Sequence, residues 1–564
     1  MTEGGANIEP LSQLKTQLIW NRLLALVEEQ AQTLMRTAFS TVVREAGDLS
    51  AGVFNVSGQM LAQAVTGTPG HVNAMAASVG KFLDRYPVDG LRPGDVLITN
   101  DPWDGTGHLN DFTVVSPVFR AVSGEDVCVA LFAATSHIAD VGGRGFGPDA
   151  NDLFEEGLKI PISYLFKAGE RDETLMTLIA ANVRDPVVAE GDLYSLTACN
   201  DTGAGQLLEM MDDFAIDSLT EVGDLILATS QRAMLEEIRA LPQGDYRHRM
   251  RIDGYDVPVD LVCCLSIGSD GIDIDFTGSS PVSAFGINVP LAYTEAYASF
   301  GVRCIVGNDI PNNAGSLGVI RVSAPDGCLL NAKHPRAVSA RHAVGQMLPD
   351  VVLGCLVQVV PDRVPAEGAS CIWNPVFLSA PPAPGGNLQT DDFVANPIFN
   401  GGTGARPGKD GLSTTAFPSG VRTTPTEVNE VTMPLVIWRK EYLQDSAGAG
   451  EYRGGLGQVI EISHSTGAAF VVSKMFDRIH HPASGRRGGE DGAPGRVYLK
   501  DGGDFRGKGR EVIPPGATLV METPGGGGMG TVGARDPARV REDVASGFVS
   551  PEAARDIYGL DDSE

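Results

Sequence analysis

The chain has 564 residues, 43% of them hydrophobic and 20% charged, with a formal charge of −28. That describes a folded protein too long for one ordinary core, and it argues for two or three domains. A polyanion recruits lysine and arginine to displace its counterions, and no basic stripe occurs here. Nucleic acid and anionic membrane are therefore set aside as partners.

The elements can be taken in chain order. Over residues 11–38, Trp20, Leu23, Leu24, Val27, Ala31, Leu34, Met35 and Ala38 recur on one helical face, which predicts a long amphipathic helix. Residues 49–55 and 59–64 flank Val56-Ser57-Gly58 and predict a hairpin. A second helix is expected over 73–86, then a short strand at 96–99. A Gly-rich loop follows, NDPWDGTGHLND (100–111). Two apolar runs, 112–119 and 127–134, are joined by AVSGED and predict an antiparallel hairpin. With its turn centred near Ser123, Asp111 falls opposite roughly Thr135, and His108 and His137 meet at the open end.

Further along, short strands separated by Asp253-Gly254 and Asp270-Gly271 predict a β-meander over 246–277. A helix is expected at 337–352, a loop-rich stretch at 375–435, and strands from about 435 onward. Ser550 and Pro551 suit the N-cap and first position of a short terminal helix. The whole reads as α+β: mixed and antiparallel sheets behind a long N-terminal helix, loop-rich and multi-domain. The expected division is an N-terminal metal-site domain (1–244), a β-meander and mixed α/β domain (245–375), and a loop-rich β domain with a short terminal helix (376–564).

No run reaches the roughly 18 apolar residues of a membrane span. Glu3 and Glu9 stand where a signal peptide would be apolar. The eight cysteines lack any CxxC spacing. They read as buried, reduced thiols, and the expected location is the cytoplasm.

A metal with nitrogen and oxygen ligands needs imidazoles and carboxylates converging from fixed elements. His108 with Asp111, and His137 with Asp140 in SHIADVGG, repeat a His-x-x-Asp pattern at the two ends of one hairpin. Asp140 reads either as a ligand or as the group that orients His137. Asp48 precedes the first predicted strand and can reach the same rim. On spacing alone, hydrogen-bonded loop residues without a metal are the commoner outcome. His71 in GTPGHVN is a weaker candidate, and His480-His481 suit a surface or substrate loop. TPGGGGMG (523–530) lacks the Gly-Lys-Ser/Thr of a P-loop and reads as a packing turn before a phosphate cradle, as does YRGGLG (452–457). Ser136 sits in no G-x-S-x-G elbow, so nucleophilic catalysis is set aside.

The ordered set NDPWDGTGHLNDFTVVSPVF, SHIADVGG, EEGLKIP, DFTGSSP, IPNNAGS, DSAGAGEYRGGLG, TPGGGGMG and GFVSPEAARDIYG resembles the B-type subunit of the hydantoinase B / 5-oxoprolinase / acetone carboxylase family over nearly the whole chain. Each Gly-rich piece is weak alone, whereas the set is specific. The resemblance implies one divalent transition metal (zinc, manganese or iron) held by His108, Asp111 and His137, with Asp48 as a further contributor. It also implies an A-type partner subunit of actin/sugar-kinase-like fold that binds ATP and Mg²⁺, in a heterotetramer. The activity it implies is ATP-dependent opening of a cyclic amide such as a hydantoin or an oxoproline-like lactam, with Asp140 orienting His137 or accepting a proton. Ketone carboxylation and a purely structural subunit are the competing readings.

Overall fold

The computed structural model describes residues 13–65, 68–380 and 393–560. Helix α1 (Gln13–Thr37) matches the first predicted helix, whose leading residues lie outside the described ones. Its apolar face, Ile19, Leu23, Val27, Ala31 and Leu34, is buried at the three- and four-residue steps of one helical stripe. After a short turn of helix, α2 (Thr41–Arg44), the hairpin β1 (Leu49–Phe54) and β2 (Met60–Gln63) forms as expected. Helix α3 (Pro69–Arg85) starts four residues before the predicted position, with Pro69 in its first turn. A missing amide costs nothing there, because the first-turn amides have no intrahelical partner.

Strands β3 (Val96–Thr99), β4 (Asp111–Val122) and β5 (Glu125–His137) follow, then β6 (Ser163–Lys167) and β7 (Glu170–Arg171). Together they make a seven-stranded sheet in the order β2-β1-β5-β4-β3-β6-β7. All its pairings are antiparallel. The β4–β5 register departs from the sequence expectation by two residues, and both have a cause. The turn is Ser123-Gly124, with φ of 54° and 87°, so it centres half a residue later than Ser123. A β-bulge between Val118 and Phe119 adds one more step. Asp111 therefore pairs directly with His137 rather than with Thr135.

Three helices that no periodicity argument above identified cover this sheet and lead out of it: α4 (Glu173–Asn182), α5 (Pro186–Asp213) and α6 (Thr220–Arg239). The α5 helix packs against α1 and across β4 and β5. Buried Gln30 pins the three elements together, donating to Ala133 O at 3.1 Å and to Asn200 Oδ1 at 2.8 Å. The predicted meander is present as β8 (Gly244–Ile252), β9 (Val259–Ile267) and β10 (Ile272–Asp275). Strict alternation of burial along β9 gives its two faces. A crossover through α7 (Leu291–Arg303) and α8 (Ala314–Leu317) adds β11 (Ile320–Ser323) parallel to β10.

The helix expected over 337–352 is a correction. Helix occurs only at α9 (His342–Gly345) and α10 (Leu348–Leu356), and residues 337–341 are irregular. The polar groups of that stretch bond elsewhere. Glu156 Oε1 accepts from Val338 N (2.6 Å) and Ser339 N (2.7 Å), and Asn288 Nδ2 donates to Ala337 O (2.9 Å). One contiguous hydrophobic cluster then runs from β8–β11 and α10 into the strands beyond residue 375, through Trp373, Phe377, Phe470 and Met521.

The glycine loops of the C-terminal third pack backbone on backbone. A Cβ at Gly525 would lie 1.7 Å from Ser446 O, and one at Gly526 would lie 2.0 Å from Thr403 O. Gly526 N donates to Gly455 O and Gly455 N to Thr403 O, so TPGGGGMG and YRGGLG interlock as packing elements. Ser550 caps the terminal helix Pro551–Asp556 through Ala553 N at 3.0 Å, as expected. All eight cysteines are free, and five are buried. Among the described residues no helix is long and apolar enough to cross a membrane.

Candidate metal centre

Strand β5 is the organising element. It lies between β1 and β4, so its last residue has a neighbour on each side. Asp111 pairs with His137 across β4, and His137 N donates to Asp48 O at 3.3 Å across β1. His108, three residues before Asp111, turns back from the loop so that its Nε2 lies 2.6 Å from Asp111 Oδ1. His137 Nδ1 lies 3.2 Å from the same oxygen. The ligand atoms of His108, Asp111 and His137 all fall within 4.8 Å of one another, and all three residues are buried.

The two oxygens of Asp111 have different surroundings. Oδ2 receives donors: Thr106 Oγ1 (3.0 Å), His71 Nε2 (2.9 Å) and the guanidinium of Arg341. Oδ1 faces only the two imidazoles. His108 Nδ1 is placed to donate to Ser339 O at 2.9 Å, which makes its Nε2 the lone-pair nitrogen of a neutral ring. Burial, then the charge of Arg341, lowers His108 to about 4, so the ring stays neutral. Burial pushes the Asp111 carboxyl up, but His108, His71 and Arg341 outweigh it and hold the group well below the usual carboxylate range. A neutral imidazole nitrogen and an ionised carboxylate oxygen are both acceptors. At 2.6 Å they repel unless a proton or a metal cation lies between them. His137 Nε2 adds a buried nitrogen with no partner. This donor set fits a borderline divalent transition ion, with Ser339 as the outer acceptor that fixes one imidazole.

Asp48 stands beside the triad, with its Oδ1 accepting from Thr68 Oγ1 at 2.8 Å and lying 3.5 Å from His71 Nδ1. Burial lowers His71, yet the charges of Asp111 and Asp48 raise it overall. It bridges the two carboxylates. His71 belongs to the buried stripe of α3 with Met75, Ser78, Val79 and Phe82, so extending the helical period two residues upstream would have placed it inward. Arg341, stacked 3.9 Å over the Tyr293 ring, and His342 come from more than 200 residues away and carry no local signal. Phe146 packs edge-on against both His108 and His137.

Asp140, expected to orient His137 or accept a proton, has no bond to His137 among its hydrogen bonds here. Its carboxylate accepts from the Arg184 side chain and backbone N–H and from Gly142 N at 3.2 Å. It does not line the cavity beside the triad. The loop after β5 turns away from the sheet, and Asp140 holds that turn. His480 and His481 lie at a separate surface, where Asp253 binds His481 Nδ1 at 2.9 Å.

The comparisons with known proteins agree with this architecture. The caprolactamase subunit beta of Pseudomonas jessenii is 28% identical over 94% of this chain and 93% of its own. The crystal structure of the ATP-dependent caprolactamase from Pseudomonas jessenii superposes with a TM-score of 0.86 at 24% identity, covering 98% of this chain and 97% of that one. A nucleotide-free acetone carboxylase shares the fold at a TM-score of 0.84 and 18% identity, over 96% of this chain and 79% of that one. The family described as Hydantoinase B/oxoprolinase matches residues 12–532, and the chain belongs to it.

Proposed function

We propose that this chain is the metal-containing subunit of an ATP-dependent cyclic amide hydrolase that works with a nucleotide-binding A-type partner in a heterotetramer. The observation that carries the reading is the confrontation of His108 Nε2 with Asp111 Oδ1 inside a buried triad, which asks for a divalent cation. Hydrolysis is preferred to ketone carboxylation because a relative matching nearly end to end is named a caprolactamase subunit.

In this reading ATP and Mg²⁺ belong to the partner, where phosphorylation of the amide oxygen makes the ring carbon electrophilic. A zinc, manganese or iron ion bound here supplies Lewis acidity and lowers the pKa of water towards neutrality. His108, Asp111 and His137 are its ligands, and Asp48 contributes from the rim. His71 keeps the two carboxylates in place, and Arg341 fixes Asp111 so that Oδ1 faces inward. Phe146 shields the imidazoles from bulk water. Residues 1–244 form the metal-site domain, and 245–375 and 376–564 complete the cavity around it.

The test is to purify the chain with its partner, measure bound metal, and follow ATP-dependent ring opening in His108→Ala and His137→Ala. Both variants are expected to lose metal and activity together. Ring opening retained in a metal-free variant overturns the reading.

A further inference from the structure

A second cavity, of about 540 Å³, shares no lining residue with the metal centre. Strand β8 brings Arg249 and Arg251 to it, the loop HHPASGRRGG (480–489) brings Arg486 and Arg487, and Arg478 lines it as well. Five arginines thus line one cavity in a chain whose net charge is −28. Its two carboxylates, Glu367 and Asp491, are both engaged. Glu367 Oε2 accepts from Arg478 Nη1 and Ser484 N, each at 3.1 Å, and Asp491 Oδ1 accepts from Gly485 N at 3.0 Å.

The guanidiniums are not equally compensated. Arg487 pairs with Asp362 at 2.8 Å, whereas Arg249 and Arg251 share the single carboxylate of Asp260 at 2.6 and 2.8 Å. Arg486 has no ion-pair partner among the described residues, and its guanidinium makes one hydrogen bond, from Nη1 to Leu353 O at 3.2 Å. Burial lowers its pKa by more than the charges of Asp350 and Glu367 restore. Arg478 is 1% exposed, and its Nε is buried without a partner. His248 Nε2 is a further buried nitrogen without one, its ring lying where a Cβ at Gly354 would stand. Buried donors left unfilled are costly, and a buried cation without a counter-charge more so, unless a ligand supplies acceptor oxygens and negative charge.

We propose that this cavity is a second ligand site, for a phosphate group, either inorganic phosphate or the phosphate of a nucleotide. Phosphate is preferred to a carboxylate because it brings more charge and more acceptor oxygens, and the guanidinium fork matches its edges. A cavity of this size also admits the rest of a nucleotide. The loop that carries His480 and His481 is then a ligand loop remote from the metal. The site stands apart from the ring-opening reading, since it needs neither the metal nor an amide.

The full-length chain, prepared free of phosphate, is titrated calorimetrically with inorganic phosphate, ADP and acetate at one ionic strength, so that screening is equal throughout. Phosphate or ADP is expected to bind about tenfold or more tighter than acetate. ADP binding tighter than phosphate assigns the site to a nucleotide, and phosphate binding as tightly as ADP or tighter assigns it to the free ion. Arg486→Gln, with a urea midpoint matching the parent's, should weaken that binding about tenfold to a hundredfold. Arg487→Gln lies at an exposed position and repeats the test where Arg486→Gln does not fold, with an expected loss of about threefold to tenfold. Acetate binding as tightly as phosphate and ADP, no measurable binding of either phosphate or ADP, or affinities unmoved in the folded variants overturns the proposal.

Discussion

Replacing Glu156 by glutamine tests the electrostatics of the loop that fixes His108. Glu156 is buried, its Oε1 accepts from Val338 N and Ser339 N, and its Oε2 has no partner. Burial pushes the carboxyl up to about 8; the amides of Ser339 and Val338 pull the other way without cancelling it. An unfolded glutamate titrates near 4.5. Between those values the unfolded chain has released its proton and the folded chain keeps it. The folded state binds more protons there, so stability falls as pH rises from about 4.5 to about 8 and levels off above.

The span of roughly 3.5 pH units, at about 1.4 kcal/mol each, bounds the loss at about 5 kcal/mol. Relaxation and water entry reduce it to about 2–4 kcal/mol. Glutamine keeps the accepting oxygen and carries no titrating proton. Glu156→Gln should therefore lie within about 1 kcal/mol of the parent at pH 5 and be more stable by about 2–4 kcal/mol at pH 8.5. Urea midpoints at both pH values measure this. Parallel pH profiles for parent and variant refute the reasoning and mean that Glu156 is ionised in the fold.

Two other substitutions probe the site. Arg341→Met leaves the Asp111 carboxylate buried without its cation, and the metal-free chain should lose about 3–5 kcal/mol in urea unfolding. Added Zn²⁺ should restore part of that, and a variant as stable as the parent without metal would contradict the buried pairing. Asp140→Asn keeps an acceptor for Gly142 N and Arg184 N but removes the charge of a buried carboxylate paired with the half-exposed Arg184, so it should cost about 1–3 kcal/mol and leave bound metal within about twofold. Metal loss from Asp140→Asn would return Asp140 to the centre.

Much of the site is legible because its parts are close in sequence. The two apolar runs of β4 and β5 and the short polar turn between them predict a hairpin, and a hairpin brings His108 and Asp111 to His137 whatever the rest of the chain does. One residue of the two-residue error in register arose from the turn centring half a residue later, and the other from a bulge, which one extra residue creates without changing the apolar pattern enough to announce itself. Asp48 was within reach because β1 leads straight out of its turn.

What tertiary structure alone decided is the other half of the cavity. Arg341, His342, Gln346, Asn374 and Asn396 arrive from segments more than 200 residues beyond the hairpin, and residues 337–341 look helical until Glu156 and Asn288 capture their backbone. The tight glycine packing of Gly525 and Gly526 likewise leaves no trace in hydrophobic periodicity, since what it stacks is bare backbone. Periodicity records which face of an element avoids water. It does not record which distant backbone or charge meets that face, because that partner is chosen by close packing of the whole chain.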